Sequence, residues 1–190
     1  MTIYLVRAGQ TVWDAEGRVR GRVDVPLTDT GRAESKATAE ALAALKPVAI
    51  YCAPGESARA TARILAKTLG GRPKTLDDLS DIDFGLWQGM LWAEVAKRHP
   101  KAHRRLIEEP LSVAPPEGEA LREVSRRVRA ALALLAGKHV DDPIVLVCSS
   151  DVCRFVRACV EGGRVEAPRP CAPDDCQWWA GEMRVAEEVP

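Results

Sequence analysis

The chain opens on a short apolar run that stops abruptly, and this boundary constrains the fold more than any other stretch. Ile3–Val6 is rich in strand-forming residues, and the run ends at Arg7, where small residues begin with Ala8 and Gly9. An apolar run of this length followed by small residues is typical of a buried strand that ends in a turn. We therefore expect the first strand, over residues 2–6, to deliver its carboxyl end to a functional site.

Strand-like and helix-like segments alternate along the rest of the chain. Apolar runs predict strands at 48–52 and 144–147, and helical spacing predicts helices at 29–45, 58–69, 90–98, 101–109, 121–137 and 151–161. Such alternation is typical of an α/β fold, a sheet with helices on both faces. The tail, with Trp178 and Trp179 and then Met183 to Val189, predicts two short strands in hairpin order.

The length and the net charge of the chain limit the functions that we expect of it. The 190 residues fit one domain spanning 1–190, which is large enough to bury a core without a metal or a disulfide. Because 27 basic and 27 acidic residues cancel, binding to nucleic acid or to a membrane surface is not expected, since both depend on excess positive charge. No segment resembles a signal peptide or reaches the roughly 20 apolar residues of a membrane helix, so we expect a cytoplasmic protein.

The chain has six cysteines and no Cys-x-x-Cys pair. In a reducing compartment most of them should be free thiols that act as small apolar residues, whereas an oxidising compartment would allow three disulfides. The six are Cys52, Cys148, Cys153, Cys159, Cys171 and Cys176.

Several motifs in a fixed order give the chain a family resemblance. They are Leu-Val-Arg-Ala-Gly-Gln-Thr at 5–11, Trp-Asp at 13–14, Gly-Arg at 17–18, Asp-x-Pro-Leu-Thr at 24–28, Phe-Gly-x-Trp at 84–87 and Gly-Glu at 118–119. Together they resemble the histidine phosphatase (phosphoglycerate mutase-like) superfamily over nearly the whole chain. The resemblance implies a three-layer α/β/α sandwich with a mostly parallel central sheet, a helical insertion at about 90–117, and phosphoryl transfer without a cofactor.

The resemblance also shows which catalytic groups the chain lacks. Family members transfer a phosphoryl group through a histidine at the end of the first strand, assisted by two arginines, a second histidine and a carboxylic acid. The nucleophilic histidine corresponds to Ala8, the second histidine to Ser149 and the second arginine to Ser57. The acid corresponds to Asp81. Because an alanine methyl has no lone pair with which to attack phosphorus, the resemblance implies a degenerate active site.

The remaining candidates for this pocket are charged. Arg7 corresponds to the family's first phosphate-binding arginine, and Asp14 stands where an asparagine is common. We expect Arg7, Asp14 and Arg18 to line an anion site in which Asp14 and Asp81 oppose Arg7 and repel a dianion. The basic residues of the polar loop 8–28 either face a ligand or are solvated; they are Arg18, Arg20 and Arg22.

Cys148 is an alternative nucleophile. With Arg154 it has the Cys-x5-Arg spacing of cysteine-dependent phosphatases, at a predicted strand-to-helix turn, where a helix N-terminus could lower the pKa of a thiol. Against this, chance alone supplies about 0.6 such spacings in a chain of this composition. Asp151 also places a negative charge in the same turn.

No metal site is expected from the histidines. His99 and His103 stand four residues apart, a spacing that can bind a metal on one helix, but Pro100 predicts that a helix begins between them.

Two functions from different classes remain. The first is a pseudoenzyme, a binding or regulatory protein that no longer transfers phosphoryl groups because it lacks the two pocket histidines at Ala8 and Ser149. Its candidate partners are a phosphorylated small molecule, an active paralogue, or a second copy in a homodimer. The alternative is a phosphomonoester phosphatase or mutase with weak or altered activity, with Cys148 as one route.

Overall fold

The computed structural model describes residues 1–171 and 177–183. Within these ranges five strands form one sheet in the order β3-β2-β4-β1-β5. The strands are β1 (Thr2–Arg7), β2 (Ala49–Cys52), β3 (Lys74–Thr75), β4 (Pro143–Cys148) and β5 (Trp178–Glu182). Neighbouring strands run parallel except β1 and β5, which are antiparallel. The mostly parallel sheet predicted above is confirmed.

Helices cover both faces of this sheet. The described ranges hold α1 (Val12–Ala15), α2 (Asp29–Ala43), α3 (Glu56–Leu69), α4 (Trp92–Arg98), α5 (Pro100–Glu108), α6 (Leu121–Lys138) and α7 (Ser150–Glu161). The connections from β1 to β2 and from β2 to β3 step across the sheet in one direction, and the connection from β3 to β4 steps back. Right-handed crossovers therefore place α2 and α3 on one face and α6 on the other. Because α2 packs with α3 and α6 packs with α7, the fold is a three-layer α/β/α sandwich, as expected.

The two central strands set the position of the site. Ile144 to Cys148 of β4 have no exposed surface, because β4 lies between β1 and β2 and is covered on both faces. In the parallel register Arg7 of β1 lies opposite Cys148 of β4. The carboxyl ends of both strands therefore meet at one edge of the sheet, where the loop 8–28 and the N-terminus of α7 begin.

Residues 90–117 and the tail complete the described fold. The segment 90–117 contains α4, α5 and a turn of 3₁₀-helix at Pro110–Ser112. As predicted, α5 begins at Pro100. In the tail, the first predicted strand is β5, while the second lies outside the described residues except for Met183, which follows the end of β5.

Two further observations concern the cysteines and the length of the helices. Cys52, Cys148, Cys153 and Cys159 are free thiols, and Cys176 lies outside the described residues. In the described part of the chain, no helix combines the length and the apolar character needed to cross a membrane.

Candidate functional site

The turn after β1 is tied to the end of β4. The backbone N–H of Ala8 donates to the carbonyl of Cys148 at 2.7 Å, and the next N–H, of Gly9, donates to Oγ1 of Thr61 on α3 at 2.9 Å. Ala8 is 3% exposed. The position of the family's nucleophile is therefore held rigidly at the edge of the sheet, and it carries a buried methyl group.

An arginine fills the centre of the site. The guanidinium of Arg20 lies between two carboxylates, with Nη1 at 3.3 Å from Oδ2 of Asp14 and Nη2 at 3.5 Å from Oδ2 of Asp81. Arg20 is only 7% exposed. The two carboxylates come from distant parts of the chain, so this one cation joins the loop after β1 to the segment after β3.

Asp14 is itself fixed by the short helix α1. Its Oδ2 accepts hydrogen bonds from the backbone N–H of Thr11 at 2.8 Å and from the Thr11 hydroxyl at 2.6 Å. The Thr11 hydroxyl in turn caps the first turn of α1. This reciprocal capping box orients the carboxylate toward Arg20.

The surrounding carboxylates keep Arg20 charged. Burial lowers the pKa of Arg20, but Asp81, Asp14 and Asp151 raise it, and the net shift is upward. One oxygen of Asp81, Oδ1, is buried and has no hydrogen-bond partner among the described residues. The site therefore contains a buried cation with an excess of partly buried carboxylate around it.

Little space remains beside Arg20. The cavity that Arg20 shares with Asp14, Asp81 and Ser149 has a volume of about 10 Å³, roughly room for a single water molecule. The Ser149 hydroxyl caps α7 by accepting from the N–H of Val152 at 3.3 Å. A phosphoryl group does not fit into this cavity as it stands.

Arg7 is paired with a glutamate on α2. Its Nη2 lies 3.5 Å from Oε2 of Glu34 on α2, and the same oxygen accepts from the backbone N–H of Gln10 at 3.0 Å. Arg7, Asp14 and Glu34 line one pocket, whereas Asp81 contacts Arg20. The repulsion of a dianion by Asp14 and Asp81 stays a prediction.

The other predicted site residues line two different cavities. Arg18 lines the Arg20 cavity, where its Nη1 donates to the carbonyl of Gly89 at 2.8 Å. Ser57 is buried on α3 and lines a different pocket, on the far side of Asp81. The structure thus brings together Asp14, Arg18, Asp81 and Ser149 around Arg20, and it places Ser57 and Arg7 outside that cavity.

The geometry argues against Cys148 as a nucleophile. Its side chain has no exposed surface, and burial raises the pKa of the Cys148 thiol well above its ordinary value, so the reactive thiolate is disfavoured. Arg154 is engaged by Asp151, whose Oδ1 lies 2.8 Å from Nη1. The Cys-x5-Arg spacing therefore does not form a phosphate-binding loop.

Sequence reasoning did not single out Arg20 from its neighbours. Arg18, Arg20 and Arg22 alternate along one loop, and only Arg20 is buried. The sequence feature that could have pointed to Arg20 is its position next to Val19, an apolar residue that is fully buried in the structure. Among the described residues, no group of three or more histidine, cysteine, aspartate or glutamate side chains is arranged to hold a metal ion.

Known proteins similar to this chain carry the names of phosphatases and of phosphoglycerate mutases. A phosphoserine phosphatase 1 of Hydrogenobacter thermophilus is 32% identical over 145 residues, which cover 76% of this chain and 69% of the relative. A metal-independent phosphoserine phosphatase of Arabidopsis thaliana is 32% identical over 158 residues, covering 81% of this chain and 66% of the relative. Among solved structures, a mycobacterial glucosyl-3-phosphoglycerate phosphatase in complex with VO₃ superposes with a TM-score of 0.79 at 27% identity, covering 86% of this chain and 83% of the other.

The family profile extends over almost all of the chain. Its match runs from residue 3 to residue 184, which includes β1, Arg20, Asp81 and the α7 turn described above. The chain therefore belongs to the histidine phosphatase superfamily (branch 1).

Proposed function

We propose that this chain is a pseudoenzyme of its superfamily, a binding or regulatory protein that does not transfer phosphoryl groups. The observation that carries the proposal is the guanidinium of Arg20, which lies between Asp14 and Asp81 in the cavity where the family's acid and second histidine would act. A cytoplasmic location and pairing with an active paralogue or a second copy belong to the same proposal.

Three requirements of phosphoryl transfer are unmet together. A nucleophile is missing at Ala8, and removing a nucleophile alone can cost about a millionfold in rate. Charge-stabilising donors are missing at Ser57 and Ser149, and such donors are commonly the largest catalytic contribution. The carboxylates that remain, Asp14 and Asp81, are bound to Arg20.

The names of the relatives support the alternative, a phosphatase with weak or altered activity. The direct test is hydrolysis of 4-nitrophenyl phosphate and of phosphoserine at high protein concentration, with Arg7→Ala and Cys148→Ser variants assayed beside the unmodified chain. We expect the same background rate in all three proteins. Turnover that either substitution abolishes would show a genuine activity and would overturn the pseudoenzyme proposal.

A reconstruction gives a second test. Placing the nucleophile back with Ala8→His should leave the rate within about tenfold of background, because Ser57 and Ser149 supply none of the missing charge stabilisation. Orthovanadate should likewise leave the unfolding temperature unchanged, since a ligand stabilises only the state that binds it. A large gain in rate for Ala8→His, or a vanadate-dependent rise in unfolding temperature, would contradict the proposal.

A further inference from the structure

A second cavity lies on the far side of Asp81 from Arg20, between the loop after β1 and the start of α3. Its volume is about 240 Å³, equivalent to roughly eight water molecules, so it has room for a small ligand. Three carboxylates and one guanidinium line it, and we call this space the acidic cavity. The charged lining residues are Asp24, Glu56, Asp81 and Arg22.

The positive charge of Arg22 is directed at a group outside the acidic cavity. Nη2 of Arg22 lies 3.2 Å from Oε2 of Glu119, and its Nε donates to the backbone carbonyl of Asp81 at 3.1 Å. Arg22 therefore forms no ion pair with the side chain of a carboxylate that lines the cavity.

Two of the three lining carboxylates keep uncompensated negative charge. Asp24 forms no ion pair with a described residue, and its Oδ1 accepts only from the backbone N–H of Glu56, at 2.8 Å. Asp81 shares the single cation Arg20 with Asp14. The second oxygen of Asp81, Oδ1, has no hydrogen-bond partner among the described residues.

The start of α3 opposes this negative charge only in part. A helix N-terminus carries about half a positive elementary charge, and the first residues of α3 line the acidic cavity. Glu56 in this first turn is neutralised by Arg59 at 3.1 Å. The full charges of Asp24 and Asp81 outweigh the partial charge of the helix, so the acidic cavity favours a cation.

A buried hydroxyl in the cavity wall lacks a partner. Ser57 is 4% exposed and lines the acidic cavity, and its hydroxyl forms no hydrogen bond with a described residue. A buried polar group without a partner costs free energy, and a hydroxyl oxygen can accept from an ammonium N–H. Ser57 therefore provides a hydrogen-bond partner for a ligand in this cavity.

The arrangement favours an organic cation over a metal ion. In the part of the chain that the structure describes, no three histidine, cysteine, aspartate or glutamate side chains are grouped to hold a metal. Asp24 is exposed at the rim of the acidic cavity, whereas the side chain of Asp81 is 11% exposed and forms an inner wall. Negative charge that is spread in this way matches a short cationic chain better than a single ion.

From these observations we infer that the acidic cavity binds a short aliphatic amine in its ammonium form. An N–H of the ammonium group donates to the Ser57 hydroxyl, its charge lies between Asp24 and Asp81, and its methylene groups fill the remaining volume. The inference rests on the proposed function, because it names the class of ligand that such a binding protein takes.

The test titrates putrescine, a four-carbon diamine, into the isotope-labelled whole chain and follows the backbone amide signals by NMR. We expect shifts at Gly55, Glu56 and Ser57. Binding of 1,4-butanediol, the neutral compound of the same length, should be at least about tenfold weaker, because hydrogen bonds to charged groups are the stronger kind. Equal affinity for the two compounds, the same shifts with Mg²⁺ at the same concentration, or shifts confined to other residues would overturn the inference.

Ser57→Ala examines the buried hydroxyl. The variant should bind putrescine about fivefold more weakly, the loss expected for one hydrogen bond. Its unfolding midpoint in urea should stay unchanged, because the hydroxyl has no partner within the described protein. A weaker affinity at unchanged stability therefore reports on the ligand and not on the fold.

Asp24→Asn examines the charge at the rim. An asparagine keeps an oxygen for the N–H of Glu56 and removes only the charge, so putrescine should bind about threefold more weakly, as expected for an exposed ion pair. Asp29→Asn is the matched control, because Asp29 is also exposed in the first turn of a helix, α2, and does not line the acidic cavity. Unchanged affinity in both Ser57→Ala and Asp24→Asn, or an equal loss in Asp29→Asn, would refute the assigned site.

The phosphatase assay keeps the two proposals distinguishable. Hydrolysis of 4-nitrophenyl phosphate by the unmodified chain would overturn the pseudoenzyme proposal and leave the putrescine titration as it stands. Failure of putrescine to bind would overturn the assignment of the acidic cavity and leave the pseudoenzyme proposal in place.

Discussion

At the scale of single residues, Arg20 decides what the central cavity can do. The motifs quoted from the sequence assign Ala8, Asp81 and Ser149 to family positions, and the structure places Asp81 and Ser149 on one cavity. They do not reveal that a guanidinium from the intervening loop lies between Asp14 and Asp81. Three arginines alternate on this loop, and which of them turns inward depends on contacts formed only in the folded chain.

Replacing Arg20 should destabilise the protein strongly. Arg20→Gln removes the shared cation of Asp14 and Asp81, whose side chains are 14% and 11% exposed. Because breaking a fully buried pair costs about 3 kcal/mol or more, we expect this partly buried site to lose about 2 kcal/mol. Urea unfolding would give the change in the free energy of unfolding.

Arg18→Gln is the matched control on the same loop. Arg18 is 37% exposed and pairs with Glu16, so its loss should cost less than about 1 kcal/mol. If both variants lose the same free energy, then Arg20 does not hold the cavity together.

At the scale of secondary-structure elements, the long regular segments were predictable and the short ones were not. The apolar run of β4 and the spacing of α6 indicate their elements clearly, because each buries a continuous face. The helix α1 has four residues, which is too short to show helical periodicity, so its capping residue Asp14 was assigned to a loop. The order of the strands depends on long-range pairing that no local pattern contains.

The junction between β1 and α2 depends on close contact of two backbones. A Cβ atom at Gly31, near the start of α2, would fall 2.2 Å from the carbonyl oxygen of Gln10, and one at Gly9 would fall 2.3 Å from the carbonyl oxygen of Gly31. Backbone cannot move aside as a flexible side chain can. We therefore expect Gly31→Ala to lower the free energy of unfolding by about 2 kcal/mol.

Gly137→Ala provides the opposite expectation within a helix. An added Cβ at Gly137 of α6 would meet no atom within 4 Å, so alanine should raise the free energy of unfolding by up to about 1 kcal/mol through its higher helix propensity. Chemical unfolding of both variants gives the comparison. If Gly31→Ala leaves the free energy of unfolding unchanged, the backbones at Gln10 and Gly31 are not in close contact.

At the scale of the whole molecule, the free energy of unfolding should depend on pH through one partly buried carboxyl group, that of Asp151. Burial raises the pKa of Asp151 to about 6, against the lowering effect of Arg154 and Arg20. Because the folded chain binds this proton more tightly than the unfolded chain, the group contributes its full stabilisation below about pH 4 and loses it as the pH rises through about 6.

The Asp151→Asn variant removes this titration. Relative to the variant, the unmodified chain should lose roughly 2 kcal/mol of unfolding free energy between pH 4 and pH 7. Denaturant unfolding at four pH values would measure the difference. The control is Glu161→Gln on the same helix, a surface pair with 45% exposure, which should change the free energy by less than about 1 kcal/mol at each pH. A constant difference between Asp151→Asn and the unmodified chain would contradict the prediction.

The internal position of Arg20 has a consequence for how this protein responds to its surroundings. A pocket that binds a dissolved anion is stabilised more as the concentration of that anion rises. Here the cation and its two carboxylates belong to one covalent chain, so their effective concentration is fixed by the fold. We therefore expect the cavity beside Arg20 to stay closed at any concentration of phosphorylated metabolites. A response of this protein to such metabolites would have to come from another part of its surface.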